Sequence, residues 1–499
     1  MDSAWGLCLA MPQFPFVGQA YEAPMLLQDA EKCVNWYVEV SQNQESKTPV
    51  ALLGTPGLNL LLTLGSGPVR GFWVMPGEVT AIAVSGNAVY WITIQTPANA
   101  TTNAVLQGVQ IGTLQTSSGP VVIRDNGAGG IAVIVDGPNG YVVNAKSQTV
   151  KQITDPAWLG SDRVRFIDGW LIFNRPGTQT FYTSPIYWDG VQPLNATYFA
   201  LKDTSTDNLV SHEENNRELW LFGERTIEVW YDAGNPNFPF SRLQGVKLQH
   251  GCAAKHSLCR IADSLMWLGK DENGQNVVLR TSGYQAAPVS SIGVNHAIAS
   301  YPVISDAIAY AYQEDEHWFY VLTFPTADVT WVYDMSTKLW HERLSYDPLA
   351  GLFHRHWSNC YMNFAGMRIV GDFQNGNIYQ MSRQFYSDNG NPLVAWRRTP
   401  HLWDKNNRER VFNQRMQIEF TPGVGLQTGQ GQNPQIMMRW SNDGGQTWSN
   451  EHWQSVGLVG ETKHRAIWRR LGSARDRVYE VKFSDPVPRD VVGASIRAE

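Results

Sequence analysis

The chain has 499 residues, too many for one simple core, so two or three domains are expected. A hydrophobic fraction of 43% against 17% charged residues excludes a disordered chain, and a net charge of −6 gives no overall nucleic-acid-binding signature. The 20 Trp, 19 Tyr and 19 Phe, set among 44 Gly and 26 Pro, point to many short strands and turns.

Residues 1–50 read as an extended N-terminal arm followed by a first strand. The run PQFPFVGQAYEAPM is proline-rich and aperiodic, and a segment such as Met11–Met25 would suit wrapping a neighbouring subunit. EKCVNWYVEV follows, and then the turn Gly54-Thr55-Pro56-Gly57, where Pro56 fixes φ and Gly57 tolerates a positive one. The cluster LNLLLTL from Leu58 falls far short of a membrane span, so no membrane insertion is expected.

Residues 51–387 are expected to form a β-propeller of six or seven blades. From Val69 to Met381, short apolar runs end in turn pairs suited to tight antiparallel hairpins, among them Gly86-Asn87 and Asp168-Gly169. The aromatic centres recur about every 40–55 residues, the period of a propeller blade. In VTWVYDMSTKLWHE, Val329, Trp331 and Tyr333 alternate with Thr330, Val332 and Asp334. Both faces are partly apolar, as in a strand stacked between neighbours. A string of β-sandwiches would show less regular spacing.

Residues 388–499 are expected to form a β-sandwich of about a hundred residues, so the fold class is all-β. From Ala395 onward there are 16 Lys+Arg against 11 Asp+Glu, leaving 23 basic against 34 acidic residues upstream. Two arginine clusters stand out: Arg397, Arg398, Arg408 and Arg410, then Arg465, Arg469, Arg470, Arg475 and Arg477. Arginine favours bidentate pairing with carboxylate or phosphate, so these are candidates for an interface or for facing DNA. A subunit interface or intradomain salt bridges are the plainer reading, ahead of direct DNA contact.

Ser441, Asp443, Gly444, Gly445 and Trp448 form an Asp-box, a motif best known from sialidases. Its residue types build a turn: the Asp443 carboxylate accepts backbone N–H groups, the glycines permit positive φ, and Trp448 is expected to fold into the core. Such boxes are structural, and a sialidase would also need three arginines, a Tyr–Glu pair and an acid. Glu213-Glu214 and Glu314-Asp315-Glu316 read as solvated loop carboxylates rather than a glycosidase pair. His354 and His356 with Cys360 lack a fourth ligand at a convincing spacing, so no metal is expected; surface or interface histidines are the plainer reading. Cys252 and Cys259 are expected in the core. Five cysteines, with Cys8, Cys33 and Cys360, make a disulfide framework improbable and fit assembly in a reducing cytoplasm. The N-terminus lacks the basic region of a secretory signal. No cofactor motif occurs.

The runs RWSNDGGQTWSNEHW, RRTPHLWDKNNRERVF, EKCVNWYVEV and RELWLFGERTIEVWYDAGNPNFPF together resemble the packaged-DNA stabilisation proteins of short-tailed bacteriophages. The resemblance covers essentially the whole chain and implies a non-enzymatic virion protein: a tail hub or nozzle built as a sixfold ring below the portal and the head-to-tail adaptor ring. It further implies retention of packaged double-stranded DNA without sequence specificity, and attachment of a tailspike or tail fibre and a needle or plug protein. Assembly would take place in the bacterial host cytoplasm. The competing expectation is a glycan-binding or glycan-cleaving propeller with a charged cluster at its axis.

Overall fold

Asp168 and Gly169 adopt φ values of 48° and 95°, so Ile167 pairs directly with Trp170 across a two-residue turn. Repetition of such hairpins builds the computed structural model, which describes residues 15–498 apart from 44, 47, 98–103, 236–237, 271–273 and 405–408. The blades span 69–113, 122–152, 164–201, 209–248, 251–288, 308–342 and 358–382, numbered one to seven here. Their innermost strands, from Val69–Val74 to Ser358–Phe364, neighbour one another in a closed ring. Blade seven takes its fourth strand, Gly57–Thr63, from the far end of the chain, where it pairs with Asn377–Ser382. The propeller therefore has seven blades and is closed by a strand contributed from before its first blade.

The aromatic residues fill the gaps between blades. Trp91 and Tyr141 pack between blades one and two, Phe173, Tyr182 and Trp188 between two and three, and Phe181 and Trp230 between three and four. Phe222 and Trp267 meet edge-on at 5.0 Å and 70° between blades four and five. Such pairs add about 0.5–1.5 kcal/mol beyond their buried area.

The terminal domain is a β-sandwich assembled from both ends of the chain. One sheet joins Ala30–Val34 to Ala395–Arg398, Asp476–Phe483, Gln435–Ser441 and His452–Ser455. The other joins Trp36–Val40 and Val50–Gly54 to Val491–Ala498, Val411–Phe420 and Ala466–Arg469. Asn35 makes the corner between the sheets: it takes φ 55°, and its amide donates to Leu344 O and Val394 O at 2.8 and 2.7 Å. Asparagine tolerates this left-handed geometry better than most residues. Residues 15–54 thus lie in the sandwich of their own chain, while residues 1–14 are outside the described residues. The first sheet continues through Val34, paired with Glu342, into blade six, giving eleven strands in one sheet. Consequently the sandwich core and the wedge between blades five and six form one hydrophobic cluster, in which Trp36, Met266, Trp340, Trp468 and Phe483 are all buried. The one helix among the described residues, Ile292–Ala299, follows blade five and is N-capped by Ser291.

Candidate interface and axial residues

The Asp-box lies on the hairpin between Gln435–Ser441 and His452–Ser455. Asp443 accepts from the Ser441 hydroxyl at 2.6 Å, the Thr447 hydroxyl at 2.6 Å, and the Gln446 and Thr447 amides at 3.0 and 2.9 Å. The Ser441 hydrogen bond leads the donors that hold its carboxyl well below the usual range. Gly444 and Gly445 take φ of 74° and 98°. The Ser441 hydroxyl, the Asp443 carboxylate and the Trp448 indole N–H are all engaged within the turn. Trp448 departs from expectation: it is half-buried rather than in the core, with the Arg398 and Arg439 guanidinium groups 5.1 and 4.8 Å from its ring centroid. It stands in the loop between the two strands rather than on either of them, and the two cations cover its ring.

The candidate arginines divide into two groups. Arg397 is fully buried and donates to Phe16 O, Gln19 O and Lys32 O at 2.7, 2.9 and 3.0 Å, with Glu31 at 3.2 Å. Arg477 is buried, donating to Asn442 Oδ1 at 3.0 Å and Leu471 O at 2.5 Å. Arg398 pairs with Glu480 at 3.2 Å. Arg397 and Arg477 are structural, because inward-facing strand positions bury them, whereas Arg398, on the opposite face from Arg397, is partly buried and held by Glu480. Arg408 lies outside the described residues. Arg410, Arg465, Arg469, Arg470 and Arg475 are exposed. Arg465 reaches Glu419 at 3.4 Å; Arg410, Arg469, Arg470 and Arg475 make no salt bridge among the described residues.

Register reveals a feature that sequence spacing could not. Arg415 is the cross-strand partner of both Arg469 and Arg497, so three arginines form one row on the outer face of a sheet. Like charges directly opposite one another destabilise a sheet. Phe412, 61% exposed, lies at the end of the same strand, where it pairs with Ser473. Arginine beside an exposed aromatic is the composition of a protein interface.

At the propeller axis, Glu213 corrects the sequence reading. It is not in a solvated loop but buried on the innermost strand of blade four, accepting from Arg163 at 2.8 Å and from Arg165. Burial alone would raise its pKa; Arg165 and Arg163 overcome this and hold it at about 2. Glu314 is likewise buried, paired with Arg368 at 2.7 Å. Arg124, on the innermost strand of blade two, lies over Trp73 at 4.2 Å. Three arginines and a glutamate therefore gather near the axis, the charged cluster that the competing glycan expectation requires. Two of these arginines are tied to Glu213, and they hold that carboxyl ionised rather than protonated as a general acid is kept.

The histidine pair also differs from expectation. His354 bonds Asp328 at 2.6 Å, whereas His356 is buried against the Ser358 hydroxyl at 2.7 Å, and burial with Arg343 nearby lowers its pKa to about 3. No group of three potential ligands clusters among the described residues. Cys252 is buried, as expected, and Cys259 is partly buried against the core.

Two family models match the chain. The one described as the bacteriophage P22 Gp10 β-propeller covers residues 70–386, and the one described as the bacteriophage P22 Gp10 β-sandwich covers residues 396–499. No curated protein matches. Neither matched region includes the closing strand Gly57–Thr63 or the three N-terminal strands of the sandwich, Ala30–Val34, Trp36–Val40 and Val50–Gly54. With seven blades, a terminal sandwich and matches to both modules, the chain belongs to the Gp10 family of phage DNA-stabilisation tail proteins, structural components of the virion tail.

Proposed function

We propose that copies of this chain form a closed ring that acts as a tail hub or nozzle. In this reading the ring sits below the portal and adaptor, retains packaged DNA, and carries a tailspike or fibre and a needle or plug protein. The protein acts as a building block, not an enzyme. The observation that carries the reading is the exposed arginine face of the sandwich, Arg469, Arg470 and Arg475 beside Arg410 and Phe412. Its complement is available in the acidic remainder of a second copy, with 34 acidic against 23 basic residues upstream of Ala395. A contact between unlike surfaces repeats round a ring when its rotation closes. A cup of about 480 Å³ at one end of the propeller axis is the scale of a small ligand, and the reading routes DNA through the bore of the ring rather than through a propeller. A net charge of −6 suits a conduit, because phosphate contacts multiplied round a ring would hinder release.

The test is mass photometry of the purified chain with and without the adaptor. Charge reversal at Arg469, Arg470 and Arg475 is expected to abolish ring docking while leaving the monomer folded. Normal particles that leak DNA would assign those residues to DNA instead, and an unchanged monomer that hydrolyses glycans would overturn the reading.

A further inference from the structure

A cup opens at the propeller axis where the innermost strands begin. Its lining comes from residues at or beside the first strands of blades one, two, three, five, six and seven. Its volume of about 480 Å³ falls in the range of about 300–1,000 Å³ usual for small-molecule sites.

Six charged side chains line it: Arg70, Lys255 and Arg355 against Asp136, Asp162 and Asp306. The cup is therefore neutral in sum, yet its hydrogen bonding is incomplete. Arg70 is spent on the carbonyls of Gly86, Thr116, Ser118 and Gly119, and Lys255 pairs with Asp162 at 3.1 Å. Asp136 accepts from the Thr116 hydroxyl and Asp306 from the Thr326 amide, but the Oδ1 atom of each has no donor. Arg355 stands apart. It is only 9% exposed, its guanidinium lies 3.6 Å from the Phe373 ring centroid, and among the described residues its side chain makes no hydrogen bond or salt bridge, although Asp328, Asp306 and Asp372 lie near enough to act on its charge. A guanidinium carries five donors, and those of Arg355 are open to a ligand's acceptors.

A ligand for this cup must offer acceptors to Arg355 and donors to the aspartates while carrying little net charge. An inorganic anion would meet three carboxylates, and a cation would meet Arg355 and Lys255. A hydroxyl is both donor and acceptor. Phe373, Pro68 and Pro325 add apolar wall against which C–H groups can lie. We propose that the axial cup binds a polyhydroxylated ligand of sugar chemistry, anchored by Arg355 with Asp306 as its acceptor. This site is independent of the tail-ring reading and involves none of the sandwich arginines.

The test uses the full chain with glucose, galactose, mannose, N-acetylglucosamine and rhamnose as probes, and inorganic phosphate as the anion probe, in saturation-transfer NMR and calorimetry. At least one sugar is expected to bind, with affinity reduced at least tenfold in both Arg355→Gln and Asp306→Asn. Circular dichroism checks that each variant folds; if Arg355→Gln does not, Asp306→Asn and a sugar-soaked crystal decide the matter. The proposal is overturned if none of the five sugars binds, if both folded variants bind as the parent does, or if phosphate alone binds.

Discussion

Arg397→Met would remove the guanidinium that ties the N-terminal segment to the sandwich while keeping much of the side chain's volume. The parent side chain donates to three carbonyls between 2.7 and 3.0 Å and sits 3.2 Å from Glu31. Glu31 is 13% exposed at its side chain, and burial already raises its pKa against the pull of Arg397. Without the arginine, Glu31 becomes an unpaired buried charge, and breaking such a pair costs about 3–5 kcal/mol. The lost bonds to Phe16, Gln19 and Lys32 contribute to the same event, so the figure is not tripled. At about 1.4 kcal/mol per tenfold change, protection of amides in strand Ala30–Val34 should fall at least a hundredfold in native-state hydrogen exchange, whereas blades one to three should be unaffected. A loss under tenfold, or an equal loss across all blades, would refute the idea that Arg397 pins this segment locally.

Glu213→Ala should destabilise the chain by about 3–5 kcal/mol in urea unfolding, since it leaves Arg163 and Arg165 buried without their carboxylate, and Glu213→Gln should cost less. His317 lies between Asp334 at 2.7 Å and Glu39 at 2.5 Å; burial lowers its pKa, but the two carboxylates more than reverse this and raise it above 6.5. A raised histidine pKa means that its contribution is fully present below the unfolded value and lost as pH rises through the folded one. Stability should therefore decline above pH 6.5, a slope that His317→Gln should flatten in pH-dependent melting. An isolated fragment of residues 388–499 should show poorly dispersed NMR spectra, whereas adding residues 15–54 as a linked segment should restore dispersion; a well-folded fragment would contradict the two-ended sandwich.

What was legible in the sequence was periodic. Strand alternation such as Val329 to Asp334 and turn pairs such as Asp168-Gly169 act over a few residues, so they disclosed the blades and most hairpins. Pairing between distant segments left no such trace. Nothing in LNLLLTL says that Leu58 to Leu62 will pair with Ile378 to Met381, and nothing in EKCVNWYVEV says that Asn35 will turn the chain from one sheet of the terminal domain into the other. Glu213 was misread for a related reason. It sits in HEENNRE, a string polar enough for a loop, yet it is a strand residue whose charge is met by Arg163 and Arg165 some fifty positions earlier, at separations of 50 and 48 residues. Within the arginine clusters, spacing grouped Arg397 with Arg398 and Arg475 with Arg477, although burial separates the members of each pair. The Arg415–Arg469–Arg497 row was invisible because only strand register brings those positions together.

The two modules recognised separately by the family models are mechanically one body, and the reason lies in the first 63 residues. Gly57–Thr63 closes the propeller, while Ala30–Val34 and Trp36–Val40 complete the two sheets of the sandwich. Trp36 donates its indole N–H to Arg489 O at 3.0 Å, and Gly54 N donates to Asp490 at 2.8 Å, contacts made across more than 430 residues of chain. Closure of such long loops is an entropic cost that must be met before the pairings reward it. The propeller can close once residues 377–382 exist, whereas the sandwich waits for partners across 395–498. A subunit built this way presents its complete sandwich, with its exposed arginines, only after the propeller partner strands are also made. If that face is the ring contact proposed above, premature association of half-made chains through it is disfavoured by topology alone, without any need for a separate switch.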